Sequence, residues 1–327
     1  MSIDLGSPWV EKYRPKDFSE IVSQNIAVNN LKSFVKRKFD MPHMIFSGPA
    51  GTGKTSTALI IANKLLTGEK YYRNVLELNA SDTVRMKFVR EKLNDFVNQN
   101  MIITENELKI VILDEADNIP KTVQQTLRRI IESAPTNVKF ILMCNYINQI
   151  IDPIVSRCAV FRFVSLPKEK IVEKLKLIAK KENLSIPKER EEEFFDTLFF
   201  ISSGDLRKAI NTLQMAVSLE LIKSLNVDEL LKISGFIENT VFADLKEALL
   251  KSDFLKTRTI FNSIEYLDSR NFIRQLLRII PDLKDLSPIR KSQLIAYFGE
   301  IDFKISQGGD EEIQLTALLS SIVSNSK

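Results

Sequence analysis

The stretch GPAGTGKTST, residues 48–57, constrains this chain more than any other. Its core reads G-x-x-x-x-G-K-T, framed by Gly48 and Gly53 and closed by Lys54 and Thr55. The apolar run MIFS (44–47) precedes it, and the helix-forming run STALIIANKLL (56–66) follows. A glycine-rich turn between a strand and a helix is the form of loop that wraps a phosphate chain. The glycines let successive backbone N–H groups turn inward on phosphate oxygens, and the helix N-terminus adds the positive end of its dipole. In such a loop the lysine reaches the β- and γ-phosphates and the threonine hydroxyl faces Mg²⁺. Gly48, Pro49, Ala50, Gly51, Thr52, Gly53, Lys54, Thr55 and Ser56 are therefore the expected phosphate cradle, with ATP and Mg²⁺ as its ligands.

A loop of this type needs a sheet behind it. VLEL (75–78), IVIL (110–113) and FILM (140–143) are further short apolar runs, each followed by polar or turn residues and a helical stretch. That alternation reads as a parallel sheet with crossover helices. Strands that are apolar throughout, rather than alternating, fit a sheet covered on both faces. IVIL runs into DEAD (114–117). At the carboxyl end of a buried strand, Asp114 can hold the Mg²⁺ shell, and Glu115 can orient and deprotonate an attacking water. FILMCN ends on Asn145, whose carboxamide can touch both that water and the γ-phosphate, or can simply begin a turn. A DEAD-type helicase would need a second α/β motor domain, and the second half of this chain is helical in pattern.

After VFRF (160–163) the pattern changes. Leu166, Ile171, Leu175 and Ile178 recur at helical spacing, KEREEEFFDTLFFIS (188–202) reads as a second helix, and GDLRKAINTLQMAV (204–217) opens a third. LKISGF (231–236) carries a glycine and reads as a hinge. Beyond it, Phe242, Leu245, Leu249 and Leu250 mark one helix. Phe272, Leu276, Leu277 and Ile280 mark another, stopped by Pro281, and EEIQLTALLSSIV (311–323) is the last. The expected architecture is an α/β P-loop domain over 1–163, an all-α lid over 164–231 and an all-α collar over 232–327. A chain of 327 residues is long enough for more than one core.

Composition excludes several classes. Apolar residues make up 44% and charged residues 27%, and no apolar run approaches the ~20 residues of a membrane span. MSIDLGSPW, at the N-terminus, lacks the basic and then apolar pattern of a secretory signal. Two cysteines, Cys144 and Cys158, and one histidine, His43, are a poor start for structural zinc, which takes four ligands. His43 reads as a packing or surface residue. The cysteine usage fits a reducing, intracellular setting. A net charge of +4 is mild, so any contact with nucleic acid must come from a local arrangement of cations.

Eight segments in a fixed order carry a family resemblance: WVEKYRP (9–15), MPHMIFSGPAGTGKTSTA (41–58), LELNASD (76–82), ILDEADN (112–118), QQTLRR (124–129), SRC (156–158), GDLRKAIN (204–211) and EIQLTALL (312–319). Over nearly its whole length the chain resembles the small subunit of replication factor C, the AAA+ clamp loader of archaea and eukaryotes, most of all the archaeal type. The resemblance implies an ATPase that opens the sliding clamp, PCNA, and loads it on primer–template DNA. It implies a heteropentamer with a large subunit, contact with DNA of any sequence, no membrane, and a place in the cytoplasm for an archaeal chain or the nucleus for a eukaryotic one. It places Val10 and Arg14 at the adenine and its phosphates, Asn145 as a first nucleotide sensor and Arg207, in the lid, as a second. Arg157 resembles the family's arginine finger, which acts in trans on a neighbour's ATP, so Lys54, Glu115 and Arg157 form the expected catalytic set.

The resemblance also points two helices at DNA. In the first, about 83–98, Met86, Val89, Leu93 and Phe96 form an apolar stripe, leaving Arg85, Lys87 and Arg90 to meet phosphates. The second begins at Lys121. The chain departs from the family here. It reads TVRMK (83–87) where ERGID is usual, with Val84 at the position of the usual arginine, and Ala50 replaces a usual proline. Either Arg85 and Lys87 substitute, or DNA is gripped less tightly. Two other readings stay open at this point: a ring member that binds nucleotide without hydrolysing it, and another AAA+ machine such as an initiator or branch-migration motor.

Overall fold

The computed structural model describes residues 7–37, 40–80, 86–98, 107–224, 226–283 and 286–325. It divides into two compact units: the chain up to Asn183 with Ser202–Gln214, and Leu184–Ile201 with Met215–Lys327. In chain order the first unit carries α1 (Trp9–Lys12), α2 (Asn25–Lys36), β1 (His43–Ser47), α3 (Lys54–Leu65), α4 (Glu69–Asn74), β2 (Val75–Asn79), α5 (Met86–Asn98), β3 (Lys109–Asp114), α6 (Lys121–Ser133), β4 (Val138–Cys144), α7 (Asp152–Val155), β5 (Cys158–Arg162) and α8 (Lys168–Lys181).

The five strands form one parallel sheet in the order β2-β3-β4-β1-β5. Strand side chains alternate between faces, and here both alternating sets are apolar. Met44, Phe46, Ile110, Ile112, Ile141 and Met143 pack on one side against Leu31 of α2 and Ala58 and Ile61 of α3. Ile45, Val111, Leu113, Phe140 and Leu142 pack on the other side against Leu93 and Val97 of α5 and Leu127, Ile130 and Ile131 of α6. Two covered faces are why the runs IVIL and FILM contain no polar residue and MIFS only Ser47, at the strand's carboxyl end. On α5, Leu93 and Val97 are buried and Phe96 packs partly against the same core. The side chains of Met86 and Val89 lie outside the described residues. His43 is a packing residue. Its Nδ1 accepts from the Phe140 N–H at 3.1 Å and its ring meets that of Phe140 edge-on, while burial and then the Lys139 charge hold its pKa down at about 4.

Helices α9 (Glu191–Ser202) and α10 (Leu206–Ser218) each have residues in both units. Asp205 caps α10, its Oδ1 accepting from the Lys208 N–H at 3.0 Å. The second unit continues with α11 (Leu221–Ser224), α12 (Val227–Ile233), α13 (Asn239–Leu250), α14 (Phe254–Asn262), α15 (Ser269–Leu277), α16 (Pro288–Ser306) and α17 (Glu311–Asn325). Leu245, Leu249, Phe272, Leu276, Leu294, Phe298, Leu315 and Leu318 form its core. The expected apolar stripes are narrower than their spacing suggested. Leu250 and Leu277, each the last residue of its helix, are 40% and 36% exposed. The glycine of LKISGF, Gly235, sits just beyond α12 at φ +75°, a left-handed position that ends the helix.

Candidate active site

The strand order sets β3, β4 and β1 side by side. Their carboxyl ends deliver Asp114, Asn145 and the loop 48–53 to one edge of the sheet, the position where open α/β sheets bind ligands. Two glycines make the loop possible. Gly48 has φ +151°, and a Cβ there would stand 2.0 Å from the carbonyl oxygen of Phe163. Gly51 has φ +67°, and a Cβ there would overlap Asp205 Oδ1 at 1.7 Å. Thr52 closes the turn by donating its hydroxyl to Pro49 O at 2.8 Å.

Lys54, the first residue of α3, is only 8% exposed. Its ammonium donates to Gly48 O at 2.6 Å, Pro49 O at 2.8 Å and Asn145 Oδ1 at 3.1 Å. Burial pushes its pKa down, while the carboxylates of Asp114 and Asp117 oppose that shift. Thr55 Oγ1 donates to Asp114 Oδ2 at 3.0 Å, and Asp114 Oδ1 accepts from the Glu115 N–H at 2.9 Å. A hydroxyl and a carboxylate at this separation are hard oxygen donors suited to Mg²⁺, so the residues fit that ion. Glu115 itself adopts φ +54°, and its carboxylate accepts from Asn118 Nδ2 at 3.2 Å.

One pocket collects most of the expected nucleotide residues: Val10, Arg14, Ala50, Gly51, Thr52, Gly53, Lys54, Thr55, Ser56, Asp114, Glu115, Asn145 and Arg207. Gly48 and Pro49 contribute carbonyls to Lys54 behind its wall. Its apolar side includes Ile21, Val22, Leu206 and Ile210, a surface of the kind a purine ring occupies. The segment bearing Val10 and Arg14 is tied to the helices that follow the sheet. The Trp9 N–H donates to Gln214 Oε1 at 2.9 Å, Lys12 pairs with Glu182 at 2.6 Å, and the Tyr13 hydroxyl donates to the same Glu182.

Arg157 is elsewhere. It stands on the exposed turn between α7 and β5, donating from Nη1 to Pro153 O at 2.9 Å and pairing through Nη2 with Glu132 Oε1 at 2.6 Å. Of the expected DNA residues, Lys121 is exposed at the first position of α6, and Arg85 lies outside the described residues. Lys87 and Arg90 are on α5, with side chains that also lie outside them.

Two polar residues that sequence reasoning passed over hold this edge together. Asp117 is 8% exposed, and its Oδ2 accepts from the N–H groups of Asn145 (2.9 Å) and Tyr146 (3.1 Å), which ties the DEAD turn to the end of β4. Gln124 is buried. It donates to the carbonyls of Ile119 and Gln149 and accepts from the Ile151 N–H, each at 2.9 Å. A polar residue in register with Leu127 and Ile131 on the buried face of α6 was the available signal for Gln124. Asp117 left none, because its partners are 28 and 29 residues away. Asp117→Ala is expected to strand two amides and cost about 2–4 kcal/mol of stability, with Asp117→Asn much milder because it keeps an acceptor oxygen. Thermal melting of the two variants checks this.

The fold and this edge of the sheet define a P-loop ATPase of the AAA class. The AAA family model, "ATPase family associated with various cellular activities", matches residues 44–166, and the "Replication factor C C-terminal domain" model matches residues 238–321. The replication factor C small subunit 1 of Pyrobaculum islandicum is 40% identical over 326 residues, 98% of this chain and 95% of that protein. The small subunits of Aeropyrum pernix (40% over 324 residues, 98% and 97%) and Archaeoglobus fulgidus (39% over 318 residues, 95% and 96%) match similarly. The chain belongs to the replication factor C small-subunit family and has the role of a clamp-loader ATPase subunit. Among solved structures, the Thermotoga maritima RuvB Holliday junction branch migration motor aligns with TM-score 0.53 at 18% identity, over 72% of this chain and 79% of that one, which is a likeness of fold alone. No described helix is long and apolar enough to cross a membrane.

Proposed function

We propose that this chain hydrolyses ATP at a seam between subunits of a replication factor C complex, and that the complex opens PCNA and loads it on primer–template DNA. The observation that carries the reading is the convergence of Lys54, Thr55, Asp114, Glu115 and Asn145 on one pocket, within a chain that aligns with replication factor C small subunits over 98% of its length. Backbone amides of Gly51–Ser56 and the Lys54 ammonium bind the phosphate chain. Thr55 and Asp114 would hold Mg²⁺, which when bound supplies positive charge against the β- and γ-phosphate oxygens. Glu115 accepts the proton of the attacking water, and Asn145 orients that water. Arg207 senses the γ-phosphate from the lid, Val10 and Arg14 hold the nucleotide's other end, and Arg157 serves the adjoining subunit's ATP.

In this reading ATP drives a change of conformation. Binding closes the ring of subunits, a heteropentamer with a large subunit, and DNA entering the channel triggers hydrolysis and release of the closed clamp. Arg85, Lys87, Arg90 and Lys121 touch phosphates rather than base edges, which suits a machine that must act on any sequence. We also assign the working domains as 1–163, 164–231 and 232–327. The AAA match ending at residue 166 and the C-terminal match beginning at 238 support those divisions. The archaeal origin of the relatives favours the cytoplasm.

Reconstitution tests the reading. The chain, co-expressed with a large subunit, is expected to give a complex whose mass fits five subunits and whose ATP turnover rises when clamp and primed DNA are added together. A complex of that mass with turnover indifferent to both would overturn the clamp-loading role.

A further inference from the structure

We propose that Glu132 is the positioning residue for Arg157: a carboxylate on α6 that fixes the guanidinium on the α7–β5 turn so that its free N–H edge is ready for an anion on a neighbouring subunit. This rests on the reading of Arg157 as a finger acting in trans.

The geometry has three parts. Glu132 Oε1 forms an ion pair with Arg157 Nη2 at 2.6 Å and, at the same oxygen, accepts a hydrogen bond from Arg128 Nε at 2.7 Å. Arg157 Nη1 donates to the Pro153 carbonyl at 2.9 Å. Arg128 is one helical turn before Glu132 on α6, so it holds the carboxylate in one rotamer, and the carboxylate in turn holds Arg157. The Arg128 hydrogen bond, with the charges of Arg128, Arg157 and Arg129, keeps the Glu132 carboxyl below its ordinary range and therefore ionised.

A guanidinium carries five N–H donors in a rigid plane. One N–H is given to Pro153 and, even with another turned to the Glu132 ion pair, three remain, enough for a bidentate approach to a phosphate. Arginine on a surface turn has large rotamer freedom, and every rotamer frozen at the moment of reaction raises the barrier. Two acceptors within the chain's own fold, one carbonyl and one carboxylate, remove that freedom beforehand. The pairing sits outside the chain's own nucleotide pocket, whose wall includes neither Arg157 nor Glu132. Glu132 thus acts through Arg157, touching no reacting atom.

The test uses the assembled complex with clamp and primed DNA. Glu132→Ala is expected to lower kcat about ten- to hundred-fold, the scale of a misplaced catalytic group, with KM for ATP within about twofold. Glu132→Gln retains an oxygen acceptor and is expected to recover part of the loss. Melting temperatures of both variants should stay within about 2 °C of the parent, because exposed ion pairs contribute little to stability. On an Arg157→Ala background, adding Glu132→Ala should lower turnover no further, since both changes remove one function. Unchanged or faster turnover in Glu132→Ala, in a complex that Arg157→Ala inactivates, overturns the positioning role and leaves the trans finger standing. A large fall in melting temperature, or a further loss in the double variant, also overturns it. Normal turnover in Arg157→Ala removes the finger itself, and Glu132's role with it.

Discussion

Arg157→Ala is expected to slow ATP turnover of the assembled complex by about 10³-fold or more, while ATP affinity stays within about threefold of the parent. The size follows from what a guanidinium does in phosphoryl transfer. Charge spreads over the three equatorial oxygens of the moving phosphoryl group, and a cation delivered to them from outside stabilises the transition state more than the ground state. The selectivity for rate over affinity follows from where Arg157 stands. It is 40% exposed on a turn of its own, hydrogen-bonded to Pro153 and ion-paired with Glu132, and it does not line the pocket that holds Lys54 and Arg207. Its loss therefore leaves the chain's own nucleotide contacts in place. Equilibrium binding of ATP and steady-state turnover, measured on the same preparation, separate the two quantities. A mixing experiment adds direction: chains carrying Arg157→Ala should bind and hydrolyse ATP themselves when a parent chain supplies their finger, and should fail only the adjoining site. Normal turnover in a complex built wholly from the variant would end the proposal of a shared site, and a lone chain as active as the complex would end it equally.

The contrast between Lys54 and Asp117 shows how much of this site could be read from the sequence. The phosphate loop is legible because its requirements are local. Gly48 and Gly51 need backbone conformations that side chains resist, and Lys54 and Thr55 follow at fixed spacing, so the letters and the geometry are nearly the same statement. The sheet was legible for a related reason: with both faces covered, IVIL and FILM had to be apolar at every position. Strand bounds differ from those runs by one or two residues, since His43, Lys109 and Val138 extend the ladders at ends where the apolar run gives no signal.

What was not legible depends on contacts between distant segments. Asp117 looks like one more acid in DEAD until β4 brings the amides of Asn145 and Tyr146 against it. Glu182 looks like a solvated end of a charged helix until Lys12 and Tyr13, 170 and 169 residues away, are found on it. Asp205 caps α10, and nothing in its neighbourhood announces that Gly51 packs against it closely enough to forbid a side chain. Local chemistry is written in local letters, whereas positioning is distributed along the chain.

Glu115 carries the second large effect. Glu115→Gln is expected to lower turnover by about 10²–10⁴-fold, the usual contribution of a general base, with ATP binding retained. The substitution changes little else. Glu115 sits at φ +54°, a left-handed conformation that costs a non-glycine residue about 1–3 kcal/mol and persists only where the surroundings hold it. Here the holders are Asp114 Oδ1, which accepts the Glu115 amide, and Asn118, which donates to its carboxylate. Glutamine keeps the backbone amide and one side-chain oxygen for those partners, so the turn survives, but a carboxamide takes no proton from water. Glu115→Gly is the informative companion. It relieves the backbone and removes the base, so its turnover should fall as far as that of the glutamine variant even if the protein becomes more stable. In the clamp-loading cycle the glutamine variant should stop after binding, and a complex of loader, clamp and primed DNA should accumulate with ATP in excess. The rival reading, a ring member that holds nucleotide without turning it over, makes the opposite forecast. On that view Glu115→Gln complexes hydrolyse ATP at the parent rate, and no stalled assembly builds up. Turnover per complex, with and without DNA, decides between them.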